Sequence, residues 1–298
     1  MTDDLEGFAL ALHLFATADS AAGFERAVAL TEQAAEAANA QAIAMLATLE
    51  AVGAGRARDW PRALAHLARA AERGSDHARA QLDLLGGRDL AQLLAAPSRS
   101  PLSERPMLSL FEGFASPAEC RWVIDRMAAR LAPAMIWDPE TGLGKVDPQR
   151  SGSAVELRLS EMDVVIALLR ARITSATRLP EHIFEVPQVM HYAVGQEFVP
   201  HHDFLDPRQP GPAADIARRG QRMGTFLINL NDDFEGGETA FPEAGIAHRG
   251  KTGDALFFAN VTPDGRPDPL TLHAGQPPTK GEKWIFSQWI RDRAPAPG

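Results

Sequence analysis

Residues 199–204 read VPHHDF. His201 and Asp203 stand two apart, so on an extended strand they project from one face while His202 projects from the other. An imidazole beside a carboxylate is half of a metal site, and a third ligand has to come from elsewhere in the chain. His273, in LTLHAG (270–275), lies on a second short apolar stretch that reads as a strand.

Two histidines and one carboxylate on one side of a metal leave coordination positions open. Non-haem iron(II) oxygenases use that arrangement, and catalytic zinc takes the same ligand types. Lys283 follows in GEKWIFSQW (281–289). A lysine inside so apolar a strand needs an anion if it is buried. The far carboxylate of 2-oxoglutarate would supply one, whereas a lysine at a sheet edge would snorkel to water. The chain uses only four lysines, Lys145, Lys251, Lys280 and Lys283, and otherwise prefers arginine.

Outward from these motifs, the texture from Val186 onward is short apolar runs between Gly and Pro turns. VPQVMHYAV, FVPHHDF, TFLINLN, ALFFAN, LTLHAG and KWIFSQWI read as strands of a sandwich or barrel. Two helices precede them. One starts at Ser116 or Pro117 and carries Cys120, Val123, Ile124 and Met127 on one side, which makes Cys120 a core residue. The other spans roughly 160–176. Residues 137–153 and 206–222 read as loops that could close over the motifs. The Pro- and Ser-rich stretch 96–106 reads as a linker.

The first 95 residues are crowded with Ala and Leu and read as helix. They repeat at an offset of 36 residues: Arg26-Ala27 returns as Arg62-Ala63, and Ala34-Ala35-Glu36 returns as Ala70-Ala71-Glu72. Such a period implies stacked helical hairpins. The stretch 53–85 resembles the Sel1-like branch of the tetratricopeptide repeats. The division expected is a helical-repeat region over 1–95, a linker over 96–106 and a catalytic domain over 107–298.

Composition bounds the function. Of the 298 residues, 45% are hydrophobic and 23% charged, as in ordinary globular proteins. The net charge of -9 argues against a nucleic-acid partner. A single cysteine excludes an internal disulfide and a cysteine-rich zinc site. No apolar run approaches the roughly 20 residues of a membrane span. The start, MTDDLEGFALALHLF, lacks the pattern of a secretory signal. A cytoplasmic protein without membrane attachment is expected.

Taken together, the ordered motifs resemble the prolyl 4-hydroxylase family of 2-oxoglutarate oxygenases. They are Tyr192-Ala-Val-Gly195-Gln196, PHHD, TFLINLND, FEGGETAFP (234–242), KTGDALFFAN (251–260), DGRPDPLTLHAGQP (264–277) and KGEKWIFSQWI (280–290). The resemblance runs from about Leu108 to Arg291. It implies an α+β fold, a double-stranded β-helix (jelly-roll) with flanking helices, preceded here by the all-α repeat region. It also implies roles. His201, Asp203 and His273 match the iron(II) ligands. Lys283, Tyr192 and Thr225 match residues around 2-oxoglutarate. Asn229 stands where many relatives have an aromatic residue, and its parity with Thr225 points it at the same pocket. Arg150 resembles a residue near the substrate groove, and Trp289 shares strand parity with Lys283.

The implied reaction consumes 2-oxoglutarate and dioxygen and hydroxylates a substrate C–H bond, with ascorbate as a reductant. A proline within a protein or peptide is the substrate expected, with the repeats docking a protein partner. The alternatives are an oxygenase of free amino acids or other small molecules, and an interaction protein whose oxygenase domain senses. A zinc hydrolase leaves Lys283 unexplained.

Overall fold

The computed structural model describes residues 2–17, 20–137, 144–146 and 150–294. By contact the chain divides into two units, one of Met1–Ala95 with Leu157–Ser175, the other of Ala96–Glu156 with Ala176–Gly298. The helices are α1 (Thr2–Thr17), α2 (Ala21–Glu36), α3 (Ala40–Val52), α4 (Trp60–Glu72), α5 (Asp76–Leu85), α6 (Leu90–Leu94), α7 (Pro117–Met127), α8 (Val164–Thr177) and α9 (Pro210–Arg219).

In the first unit, α1 to α5 pack each on the next. The sequence period and the helix ends coincide. Asn39 and Ser75, 36 residues apart, cap α3 and α5 by accepting from backbone N–H groups, while Glu36 and Glu72 end α2 and α4. Gly53 and Gly86 close α3 and α5 in the left-handed conformation that glycine adopts without strain. The Arg69 guanidinium donates to the Ala35 carbonyl at 3.1 Å and stitches one hairpin to the other.

Helix α8 belongs to this unit although its place in the sequence is among the strands. Its residues from Val164 to Leu169 are all buried, as are Ala171, Arg172 and Ile173. Gln81 Oε1 accepts from the Val164 N–H at 3.0 Å, and Arg172 Nε donates to the Leu93 carbonyl at 3.1 Å. An amphipathic pattern would have left one polar face; α8 has none, so it needs cover all round.

The second unit is a jelly-roll of two antiparallel sheets. Their strands, in chain order, are β1 (Ser100–Ser103), β2 (Leu108–Phe111), β3 (Ala132–Pro133), β4 (Ser153–Glu156), β5 (Gln188–Tyr192), β6 (Phe198–His201), β7 (Arg222–Asn229), β8 (Thr239–Phe241), β9 (Ile246–His248), β10 (Ala255–Ala259), β11 (His273–Gly275) and β12 (Lys283–Arg291). The larger sheet runs β1-β2-β10-β7-β12-β5-β4-β3 and the smaller β9-β8-β11-β6. Alternation along β7 sorts the residues. Phe226 joins Phe111 and Phe114 on one face, with ring centroids 5.5 and 4.8 Å away, while Leu227 faces Leu256, Phe258, Ile285 and Phe241 of the inner core. Helix α7 starts at a capping box between Ser116 and Glu119, and Cys120 Sγ lies 3.8 Å from the Asn229 carbonyl.

Three sequence expectations change. Ser100–Ser103, inside the expected linker, pairs with β2 as an edge strand, a place where proline is tolerated. Residues 206–222 are not all loop, because α9 forms within them, started by two prolines. Strand β6 ends at His201, so Asp203 lies beyond the strand rather than on it. Of the other expected loop, 137–153, residues 138–143 and 147–149 lie outside the described residues.

Removing residues 1–95 would strip the cover from α8, where each large aliphatic side chain contributes about 1.5–3 kcal/mol by burial. A chain beginning at Ala96 is expected to aggregate and to lose a cooperative thermal transition. Soluble yield and calorimetry measure this; a truncated chain that melts as one sharp transition contradicts it.

Candidate active site

His201 closes β6 and His273 opens β11, and the antiparallel register sets them directly opposite each other. Opposed residues share a face, so both imidazoles point the same way. Asp203 reaches them from the turn after β6. Its Oδ1 is 3.7 Å from His201 Nε2 and its Oδ2 is 3.6 Å from His273 Nε2. The ligand atoms of the three lie within 4.8 Å of one another.

The tautomers suit a metal. His201 Nδ1 lies 2.9 Å from the Val199 carbonyl and His273 Nδ1 lies 3.0 Å from the Thr271 carbonyl. A carbonyl only accepts, so each Nδ1 carries the hydrogen and each Nε2 keeps its lone pair toward Asp203. Phe198 stacks on the His201 ring at 3.5 Å, and Phe258 meets the His273 ring edge-on at 4.8 Å. Burial, and then the neighbouring His273, push His201 down to about 4, so it is neutral at physiological pH. Burial pushes the Asp203 carboxyl up, but His273, His201, Arg222 and the Thr225 hydroxyl outweigh it and hold it below the usual carboxylate range. Two imidazoles and one carboxylate are a fitting donor set for iron(II).

The same three residues line a cavity together with Lys283, Tyr192, Ser287 and Trp289, walled by Met190, Leu227 and Ile285. Lys283 and Tyr192 are direct partners across β12 and β5, which turns both into it. Lys283 is only 3% exposed, and among the described residues no carboxylate lies within ion-pair distance of its amine. Burial lowers it to about 8, with Glu238 pulling partly the other way. A buried amine without a partner suits an anionic ligand.

Residues 187–291 match the 2OG-Fe(II) oxygenase superfamily. The chain is 32% identical over 210 residues to probable prolyl 4-hydroxylase 4 of Arabidopsis thaliana, an alignment covering 63% of this chain and 68% of that protein. It is also 32% identical over 220 residues to prolyl 4-hydroxylase 1 of the same plant, covering 68% of this chain and 76% of that one. The chain belongs to the prolyl 4-hydroxylase family of 2-oxoglutarate- and iron(II)-dependent oxygenases. Among solved structures it is similar to a viral collagen prolyl hydroxylase from Paramecium bursaria Chlorella virus-1, at 28% identity and a TM-score of 0.47, with 61% of this chain and 94% of that one covered. As a member of this family the protein is a dioxygenase that uses iron(II), 2-oxoglutarate and dioxygen.

Two expectations about this oxygenase need correction. Thr225 does not line the cavity. Its hydroxyl donates to Asp203 Oδ2 at 2.7 Å, so it supports a metal ligand. Asn229 does not line it either. Four residues along a strand is roughly 13 Å, which carries Asn229 past the cavity while Leu227 takes the intervening place. The Asn229 amide rests instead on Gly250, where a Cβ would come within 2.0 Å of Nδ2. Arg150 does not line the cavity but packs on Phe198, which does. Its guanidinium lies 5.3 Å from the Phe198 ring centroid, and its Nε and Nη2 are buried with no hydrogen-bond partner among the described residues. Trp289 does line the cavity, and its Nε1 is buried and unpartnered.

Sequence reasoning missed Phe198, Asn260 and the group around Arg222. Arg222 lies 3.8 Å over the Trp289 ring and is gripped by both oxygens of Glu185, at 2.6 and 3.0 Å. Parity could have found Asn260, two residues after the core residue Phe258. Nothing in the local sequence ties Glu185 to Arg222.

His201→Ala or His273→Ala should cost more than the roughly 10–100-fold in metal affinity typical of losing an outer partner. His202→Ala should change little, because that ring turns away to the Pro269 carbonyl at 3.1 Å. Elemental analysis after equilibration with iron(II) distinguishes the two; full occupancy in His201→Ala would sink the ligand assignment.

Proposed function

We propose that this oxygenase hydroxylates a proline within a protein or peptide, with iron held by His201, Asp203 and His273 and 2-oxoglutarate held by Lys283 and Tyr192. The observation that carries the co-substrate assignment is the buried, unpaired Lys283 on the wall that also holds the three metal ligands. Bound iron, with 2-oxoglutarate and dioxygen, supplies the oxidation: one oxygen atom enters succinate as carbon dioxide leaves, and the other enters the substrate C–H bond as hydroxyl.

The chain's own residues do the rest. Lys283 neutralises the far carboxylate of the co-substrate in a place where water cannot. Leu227, Met190 and Ile285 keep solvent from its methylene groups. Trp289, on the cavity wall, brings the substrate an indole donor that has no partner among the described residues. Residues 1–95 dock the protein that carries the target proline. Proline suits a groove because its fixed φ leaves less entropy to lose on binding. The relatives named prolyl 4-hydroxylases support this substrate class. Among the described residues no helix is long and apolar enough to cross a membrane.

Two measurements test this reading. Lys283→Ala should weaken 2-oxoglutarate binding by roughly 30-fold or more, since truncating one partner of a buried charge pair costs about 2–5 kcal/mol. Metal affinity should hardly move. In the free enzyme the amine loses its proton as pH rises through about 8, so the Michaelis constant for 2-oxoglutarate should climb above that pH and be flat below it. Unchanged co-substrate dependence in Lys283→Ala would remove the assignment.

For the substrate, iron-loaded enzyme with ascorbate is incubated with proline-containing peptides and, separately, with free amino acids. Succinate and product mass are followed together. Peptide hydroxylation matched by succinate is expected; coupled turnover with amino acids alone would replace this substrate class and leave the metal chemistry standing.

A further inference from the structure

The two oxygens of Asp203 meet different surroundings. Oδ2 accepts from the Thr225 hydroxyl at 2.7 Å. Oδ1 lies 3.7 Å from His201 Nε2, as Oδ2 lies 3.6 Å from His273 Nε2, but among the described residues Oδ1 accepts no hydrogen bond. The hydroxyl has one hydrogen, and a carboxylate takes it in preference to a neutral group. Its lone pair then accepts from Asn260 Nδ2 at 3.0 Å. The three residues form one buried chain: Thr225 is 1% exposed, Asn260 0% and Asp203 5%.

The chain has a fixed direction. Because the Thr225 hydrogen is spent on Asp203, the Asn260 atom facing it must be the donor, which leaves Asn260 Oδ1 buried with no partner. Turning the amide over would satisfy nothing and would set two acceptors against each other. The backbone holds Asn260 in place: its N–H donates to the Met223 carbonyl at 2.9 Å, and its carbonyl accepts from the Asp268 N–H at 3.0 Å. Its neighbour on the strand, Phe258, is paired directly with Thr225 across β10 and β7, which brings both ends of the chain onto one sheet face.

We propose that Thr225 and Asn260 are positioning residues that hold Asp203 to coordination through Oδ1 alone. This rests on the metal-site reading above. A carboxylate oxygen that accepts a short hydroxyl hydrogen bond, itself polarised by an amide, is a poorer ligand than its twin. Without that bond the two oxygens become equivalent and can clasp a metal together. The second oxygen would then occupy a position that the co-substrate needs, since the two-histidine, one-carboxylate arrangement works by leaving positions open. The hydrogen-bond chain therefore governs co-substrate access more than metal retention.

The test uses the full chain loaded with cobalt(II), which reports coordination by its visible absorption and needs no turnover. 2-Oxoglutarate is titrated in and followed by calorimetry. Thr225→Val keeps the shape and the strand preference and removes the hydroxyl. It should retain cobalt, alter the visible spectrum and weaken 2-oxoglutarate binding by roughly 10–100-fold. Thr225→Ser restores the hydroxyl and should recover both readouts. Asn260→Ala should move both in the same direction by less. Wild-type spectrum and affinity in Thr225→Val overturn the proposal, and so does a Thr225→Ser variant that behaves like the valine one, because the methyl and not the hydroxyl would then matter. If Thr225→Val does not fold, Asn260→Ala decides, and wild-type values there overturn the proposal. A wild-type chain that takes up no cobalt defeats the metal-site reading itself, which is a different failure from this one.

Discussion

A carboxylate as buried as that of Asp203 persists in ionised form only among groups that donate to it or carry opposite charge. Thr225 on β7 donates to it, and His201 just before it and His273 on β11 are placed to share with it the metal that would carry the opposite charge. The antiparallel register of β6 with β11 is what makes them converge. A slip of one residue would turn His273 to the opposite face, and the carboxylate would lose a partner. The aromatic packing of Phe258 and Phe241 against the His273 ring locks the register from the core side. The metal ligands and the jelly-roll core are thus parts of one packing solution.

The cavity that results has two ends of opposite preference. The Asp203 end accepts a cation. The Lys283 end accepts an anion, and the walls between them are Leu227, Met190 and Ile285. Neither end is satisfied by the protein alone. A small dianion with a metal-seeking group at one end and a carboxylate at the other is complementary to both. The apolar walls strengthen each attraction by excluding water. Burial makes Lys283 easier to deprotonate, so the co-substrate and the proton on that amine support each other.

The catalytic part of the fold was legible because its signals are local. Strand alternation, Gly and Pro punctuation, and the order of the motifs placed β5, β7, β10 and β12 within a few residues, and the three candidate ligands do converge, although Asp203 does so from beyond β6 rather than on it. The misses have physical causes. Parity assigned Thr225 and Asn229 to the right face, but parity does not say how far along the strand a cavity extends, nor that a hydroxyl will be claimed by a nearer carboxylate. Helix α8 read as one of the helices that cover the strands, because sequence order does not say which neighbour covers a helix whose apolar residues are not confined to one face. Ser100–Ser103 read as linker from its Pro and Ser content, yet an edge strand can hold both. The interval of 36 residues recurs at the caps Asn39 and Ser75 and at the helix ends Glu36 and Glu72.

The region around Trp289 was the least legible, and its organisation is electrostatic. Arg222 and Arg291 stand directly opposite each other on β7 and β12, a placement that like charges disfavour. Glu185 resolves it by bonding Arg222 with both oxygens and Arg291 with one, and these guanidiniums hold its carboxyl below the usual range despite its burial. A second carboxylate, Asp215 of α9, meets Arg291 at 2.8 Å and Arg219 at 2.6 Å, so that Arg291 is held between two carboxylates. Arg293 adds a bond to the Ile216 carbonyl near the end of the same helix. Moving α9 would leave Arg291, only 2% exposed, short of a counter-charge, and breaking the pairing would cost several kcal/mol. The helix that the sequence suggested as a lid is therefore fastened by the same charge balance that sets Arg222 over the Trp289 ring. The shape offered to a substrate on this side is preset, and selectivity here follows from which groups are fixed in place.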